Sequence, residues 1–163
     1  MNGSFPRLFL AVVLLPGCAS SLGEAKRMEG KYVTGAPGSG WVSVNPGGAD
    51  RAWFNAELSA SIYTDSNCGT HYRELRLHDL ALESIAGLRG TKTLKEEAPT
   101  VDGRAGLLRV TTGVLDGIEV TVANLVSNKD ACTFDLNYLA PAASFDAGWD
   151  AYQAVVAGFV ARR

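Results

Sequence analysis

The 163-residue chain lacks a basic excess, a long apolar run and the residue patterns on which catalysis is commonly built. Fifteen Lys and Arg stand against 17 Asp and Glu, a net charge of -2, so there is no positive field to grip a phosphate backbone, and nucleic acid is excluded as a partner. The same balance gives no steering of acidic substrates. The longest uncharged apolar run, Leu8 to Leu15, falls short of the roughly 20 residues that a membrane-spanning helix needs, and Pro16-Gly17 ends it. No Cys-x-x-Cys is present, and the Gly-rich stretch Gly35 to Asp50 lacks the Gly-Lys-Ser/Thr that a phosphate loop requires. Neither Ser66 nor Ser84 lies in a Gly-x-Ser-x-Gly elbow. What remains, 47% hydrophobic and 20% charged residues, describes one ordinary globular domain.

The opening residues read as an export signal. A free amino terminus and Arg7 supply a modest positive end, and Leu8 to Leu15 supply the short apolar region. After it stands "LPGC", Leu15 to Cys18, which resembles the lipobox of bacterial lipoproteins; Leu15 and Gly17 fit that motif, and Pro16 departs from it. The resemblance implies cleavage before Cys18, acylation of its thiol and amino group, and attachment to a membrane through the lipid. It also implies a signal peptide over 1–17, a polar tether over 18–30 and a single domain over 31–163. Ala19, where lipoproteins retained on the inner membrane tend to carry Asp, implies export to the outer membrane, with the domain facing the periplasm.

Cys68 and Cys132 form an even pair in a chain routed to an oxidising compartment, and a disulfide between them is the expected state. Two buried thiols are the alternative, as is a metal site using His71, although two further ligands of suitable spacing are missing.

Period and punctuation outline the domain. A short strand is expected at "WVSVN", and "LSASIYTDSNC" alternates so that Leu58, Ala60 and Ile62 share a buried face and Cys68 sits at the strand end. Leu77, Leu80, Ala81, Ser84, Ile85 and Leu88 recur at helical spacing, with Gly90 just beyond. Four β-rich runs follow, divided at Asp102-Gly103, Asp116-Gly117 and Asn128-Lys129-Asp130, and predict consecutive hairpins. Ser144 to Arg163 predicts a second helix with Phe145, Trp149, Tyr152, Val156 and Phe159 on one face, Ser144 as N-cap and Asp146 near its positive end.

These hairpins, the "DGRAG" turn, the "CTFDLNYLAP" strand and the aromatic last helix together resemble the PsbP-like fold over roughly Lys31 to Phe159. The resemblance implies an α+β fold, an antiparallel sheet sandwiched by helices, and no shared catalytic constellation. His71 and His78, with Asp65 and Asp79 nearby, are the acid-base candidates, and they read as surface histidines beside a loop. No enzyme activity, cofactor or metal is therefore expected. Two binding functions stand: a membrane-anchored lipoprotein that docks an envelope protein partner, or a carrier of a lipid or small apolar ligand held between sheet and helix. An apolar cavity would favour the carrier, and an exposed patch around Trp41 and Trp53 the protein partner.

Overall fold

The computed structural model describes residues 31–69 and 72–162. The signal and tether calls, Cys18 and His71 lie outside the described residues. The elements are β1 (Tyr32–Val33), β2 (Val42–Val44), β3 (Arg51–Asn55), β4 (Ala60–Cys68), α1 (Leu77–Glu83), β5 (Arg89–Glu97), β6 (Thr100–Val101), β7 (Arg104–Leu115), β8 (Ile118–Lys129), β9 (Cys132–Pro141), α2 (Phe145–Ala157) and β10 (Val160–Ala161). The main sheet runs β2-β3-β4-β9-β8-β7-β5, every pair antiparallel, with β6 also beside β7. β1 and β10 pair separately, which ties the first described strand to the last.

Turn chemistry decides the hairpins. Asp102-Gly103 and Asp116-Gly117 both take positive φ at two successive residues, the mirror-image turn whose twist suits a two-residue hairpin. The third turn differs from expectation. β8 continues through Asn128 and Lys129, and the turn residues are Asp130 and Ala131, at φ 51° and 55°. Ala131 in this region costs about 1–2 kcal/mol, and a ladder paired from Val120↔Pro141 to Lys129↔Cys132 outweighs that cost.

Alternation along the strands builds two separate layers of core. On one face Ile62, Leu125, Phe134, Leu136 and Tyr138 meet Tyr152, Val155 and Phe159 from α2 and its continuation, and Tyr32 of β1 closes the end. The hydroxyls inside this apolar layer are satisfied: Tyr152 donates to the Leu136 carbonyl at 3.0 Å, and Tyr138 donates to that of Phe145 at 2.8 Å. Burial pushes the Tyr138 phenol up to about 12 and raises those of Tyr32 and Tyr152 still further. On the other face Ala81 of α1, with Ile85 just past its end, packs over β7 and β8, where Val120, Val122 and Val126 are buried.

Both helices are shorter than their apolar stripes. α1 ends at Glu83, where the Ser84 hydroxyl bonds back to the Leu80 carbonyl at 3.3 Å, yet Ile85 remains buried beyond the helix. α2 ends at Ala157 because the chain is recruited into β10. Ser144 stands at the N-cap position without capping; its hydroxyl donates to the Leu58 carbonyl at 2.8 Å and so fastens the helix start to the β3–β4 turn.

Candidate functional site

Each helix covers half of one sheet face, and the two halves are offset. α2 lies over β9 and β4, while α1 lies over β8 and β7 on the opposite side. Two strips of sheet are therefore left without a helix, and they differ in chemistry.

Beside α2 the uncovered strands are β7 and β5, and a groove forms there. Its inner part is a hollow of about 380 Å³ walled by Val101, Leu108, Leu125, Tyr152, Val156 and Phe159, with Trp149 at its border. Trp149 also borders a second hollow of about 510 Å³, which carries Leu94, Val110 and Phe145 together with Lys95, Glu119, Asp146 and two threonines. The two hollows meet at Trp149; the first is mainly apolar with Thr100, Asp102 and Gln153 also on its lining, and the second mixes apolar and charged side chains. The Lys95 ammonium stands 5.9 Å from the Trp149 ring centroid and 3.0 Å from Glu97. Burying a chain of methylenes in such a groove contributes about 0.8 kcal/mol each.

On the α1 side the open strip is β2-β3-β4-β9. Register puts Asp65 directly opposite Asp135. Burial, then the facing Asp65 carboxylate, pushes Asp135 up to about 7, and burial together with Asp135 raises the neighbouring Tyr63 phenol. A hollow of about 310 Å³ beside the pair is lined by Asn67, Thr133 and Asp135 from the sheet and by Leu80, Glu83 and Ser84 from α1 and its end. Arg73 also lines it, with its guanidinium on Glu83 at 3.2 Å. Toward the sheet edge the same face turns apolar: Val42 is 60% exposed, and Val44 and Phe54 are exposed with it.

The sequence-derived residues fall apart or into structural roles. Cys68 and Cys132 are joined in a disulfide, with Cα atoms 4.1 Å apart at directly paired positions of β4 and β9. His78 sits on α1, and its Nε2 accepts from Nη2 of buried Arg109 at 3.0 Å. A guanidinium only donates, so the ring is the Nδ1–H tautomer there. Arg109 in turn donates from Nε to Glu96 at 2.9 Å, and the three residues link α1, β7 and β5. Asp79 is held by Arg76 at 2.9 Å, which keeps its carboxyl below the usual range. The Ser66 hydroxyl donates to Asp50 on the sheet face away from α1, and that of Ser84 bonds backbone, so neither meets His78. Trp41 and Trp53 are partly buried against the α2-side core, Trp41 lying 6.2 Å from the Tyr138 ring. The exposed apolar patch is therefore on the opposite face of that hairpin, at Val42, Val44 and Phe54, because Trp53 pairs with Ile62 and shares its inward direction.

No family model matches the chain, and no curated protein is similar to it in sequence. Solved structures are similar in fold. LpqN of Mycobacterium tuberculosis, described as involved in cell envelope biogenesis, superposes with a TM-score of 0.61 at 13% identity over 83% of this chain and 86% of its own. A Pseudomonas aeruginosa protein of unknown function, PA94, gives 0.52 at 15% identity, with 76% and 82% covered. Cyanobacterial PsbP from Synechocystis gives 0.51 at 11% identity, with 90% and 98% covered. The chain has a PsbP-like α+β fold.

Proposed function

We propose that the protein is a non-catalytic binding module of the bacterial cell envelope, anchored by lipid at Cys18 and facing the periplasm from the outer membrane, and that its groove beside α2 holds the apolar part of a lipid or other small apolar ligand. The observation that carries the reading is the groove itself: a concave, mainly apolar hollow walled on one side by α2, meeting at Trp149 a second hollow that carries Lys95, Glu119 and Asp146. Small-ligand sites have this composition, an apolar body with a few polar groups at one end. The envelope connection draws support from the lipobox-like "LPGC" and from the fold shared with LpqN, whose described role is in envelope biogenesis.

Titration of the full chain with a fluorescent fatty acid, cis-parinaric acid, tests the groove. Saturable binding is expected, weakened at least tenfold by Leu108→Lys or Val156→Glu, both at half-buried positions of the wall. Binding that is absent, or indifferent to both substitutions, would refute the reading. Intact-mass measurement of protein isolated from membranes tests the anchor: the mature chain should begin at Cys18 and carry acyl groups, and Cys18→Ala should leave the precursor uncut and unacylated.

A further inference from the structure

The hairpin of β5 and β7 folds over at its tip. Glu97↔Leu108, Thr100↔Ala105 and Val101↔Arg104 keep one register, so β6 is the end of that hairpin, set off from β5 by Ala98-Pro99. The Pro99 carbonyl accepts from the Gly106 N–H at 2.8 Å. Gly106 makes the fold-over possible. A Cβ there would stand 2.7 Å from Val101 Cγ2 and 3.3 Å from Leu125 Cδ1, so the missing side chain lets Val101 come down over β7 on the α2 side, where it is 7% exposed. Asp102, next in the chain, fastens the far side of the tip. Its carboxylate accepts from Lys129 Nζ at 2.6 Å and from the Ala161 N–H at 3.0 Å, and its carbonyl accepts from the same Nζ at 3.2 Å. The tip therefore reaches from β7, across the last residue of β8, to the strand that follows α2.

This crossing lies at one end of the groove beside α2. From the second hollow the groove follows β7 backward, from Val110 to Leu108 and on to Gly106 beneath Val101, and follows α2 forward, from Phe145 and Trp149 to Val156 and Phe159. All four residues from Pro99 to Asp102 line the first hollow, with Phe159 beside them. We propose that the β6 tip is the end wall of the groove and that Val101 sets the length of the ligand, a single acyl chain whose terminal methyl stops against Val101 and whose polar head lies in the second hollow. The inference rests on the reading of the groove as a ligand site. A groove blocked at one end fixes where a chain lying in it must stop, and polar groups at the other end fix the head, so the ligand is selected by length. Each methylene that fits gains apolar contact; one too many must stay in water or displace the wall. The wall resists displacement because Asp102 and Lys129 are only about a fifth exposed, at 21% and 20%, and a partly buried pair is little screened.

Saturated fatty acids of 8 to 22 carbons, competed against cis-parinaric acid on the full chain, read the length preference. Affinity should climb by up to about fourfold for each added methylene, reach a limiting length and then stop rising. Val101→Ala removes two methyl groups from the wall and should move that limit about two carbons longer. Asp102→Asn keeps a residue that tolerates the positive φ of this turn, 45°, and removes the charge that holds Lys129. It should let the first chains beyond the limit bind about fourfold more tightly, the gain of one further methylene, with shorter chains unchanged. A purely structural role for the tip would weaken every length by the same factor and leave the limit in place. That result in both variants, or a parent without any limit, overturns the end wall while leaving the groove as a ligand site. If the parent binds no fatty acid of any length, the groove reading falls and the end wall with it.

Discussion

Asp135 shows how much one residue's surroundings shape this domain. Burial and the facing Asp65 raise its pKa to about 7, so between about pH 4 and 7 the folded protein binds more protons than the unfolded chain. This contribution is fully present at the acid end, declines as pH rises through that window and is level above it. Asp135→Asn should remove the decline. The variant is expected to match the parent near pH 4 and exceed it at pH 8 by about 1–3 kcal/mol, as read from urea unfolding at several pH values. Gly148 illustrates a steric constraint instead. A Cβ there would overlap the Tyr138 hydroxyl, which donates to the Phe145 carbonyl at 2.8 Å. Helix propensity favours alanine over glycine by about 1 kcal/mol, yet Gly148→Ala should destabilise by about 1–3 kcal/mol, because α2 must lift from β9. Asp135 was within reach of the sequence. Once Cys68 and Cys132 are taken as a directly opposed antiparallel pair, counting three residues away from each brings Asp65 against Asp135. The close approach at Gly148 had no such signal, since it depends on how α2 crosses the sheet.

Among the elements, β4 and β9 carry the covalent link. The Cys68–Cys132 bond closes a loop of 64 residues that contains α1 and β5 to β8. In the chain-entropy model this stabilises the fold by about 4 kcal/mol, so the double variant Cys68→Ser, Cys132→Ser should lose several kcal/mol in urea unfolding. α1 is held differently. Ala81 is its one fully buried residue, and the Glu96–Arg109–His78 chain fastens it to β7 and β5. Arg109→Leu keeps the bulk of a nearly buried side chain and removes both bonds, while Glu96 and His78 can turn to water. Amide exchange in α1 should then quicken about tenfold, with β8 and β9 unchanged; equal acceleration throughout would mean that Arg109 serves the whole sheet. The two sheet edges also differ. β5 is exposed at all nine residues, carries five charges and is interrupted by two register shifts, features that discourage pairing with another chain. β2 carries no charge.

At the scale of the molecule, the pairing of β1 with β10 ties the first described strand to the last. Tyr32 is 2% exposed, its hydroxyl lies 2.7 Å from that of Thr64, and its ring packs on Phe134 and Phe159. A chain starting at Gly35 should lose about 3–5 kcal/mol, the cost of deleting a large buried aromatic. Offsetting the two helices leaves one apolar and one acid-bearing strip of sheet open on opposite faces.

The order of residues by itself determined β2, β4, the hairpin strands from β5 to β9, the two helical stripes, the Asp-Gly turns and the eligibility of Cys68 and Cys132 for a disulfide, because each follows from local period, turn geometry or residue chemistry; it gave no strand at β1 or β3 and read β10 as helix. Tertiary structure decided what depends on placement across the sheet. It shortened both helices, moved the third turn to Asp130-Ala131 and turned Trp41 and Trp53 inward, so that Val42, Val44 and Phe54 face out. It also brought together Leu108 of β7, Leu125 of β8 and Trp149 of α2, and set His78 against Arg109. The physical reason is the same in each case: a strand's period states that one side is buried but not which helix covers it, and side chains 17 to 41 residues apart meet only when sheet order, register and helix placement are settled together.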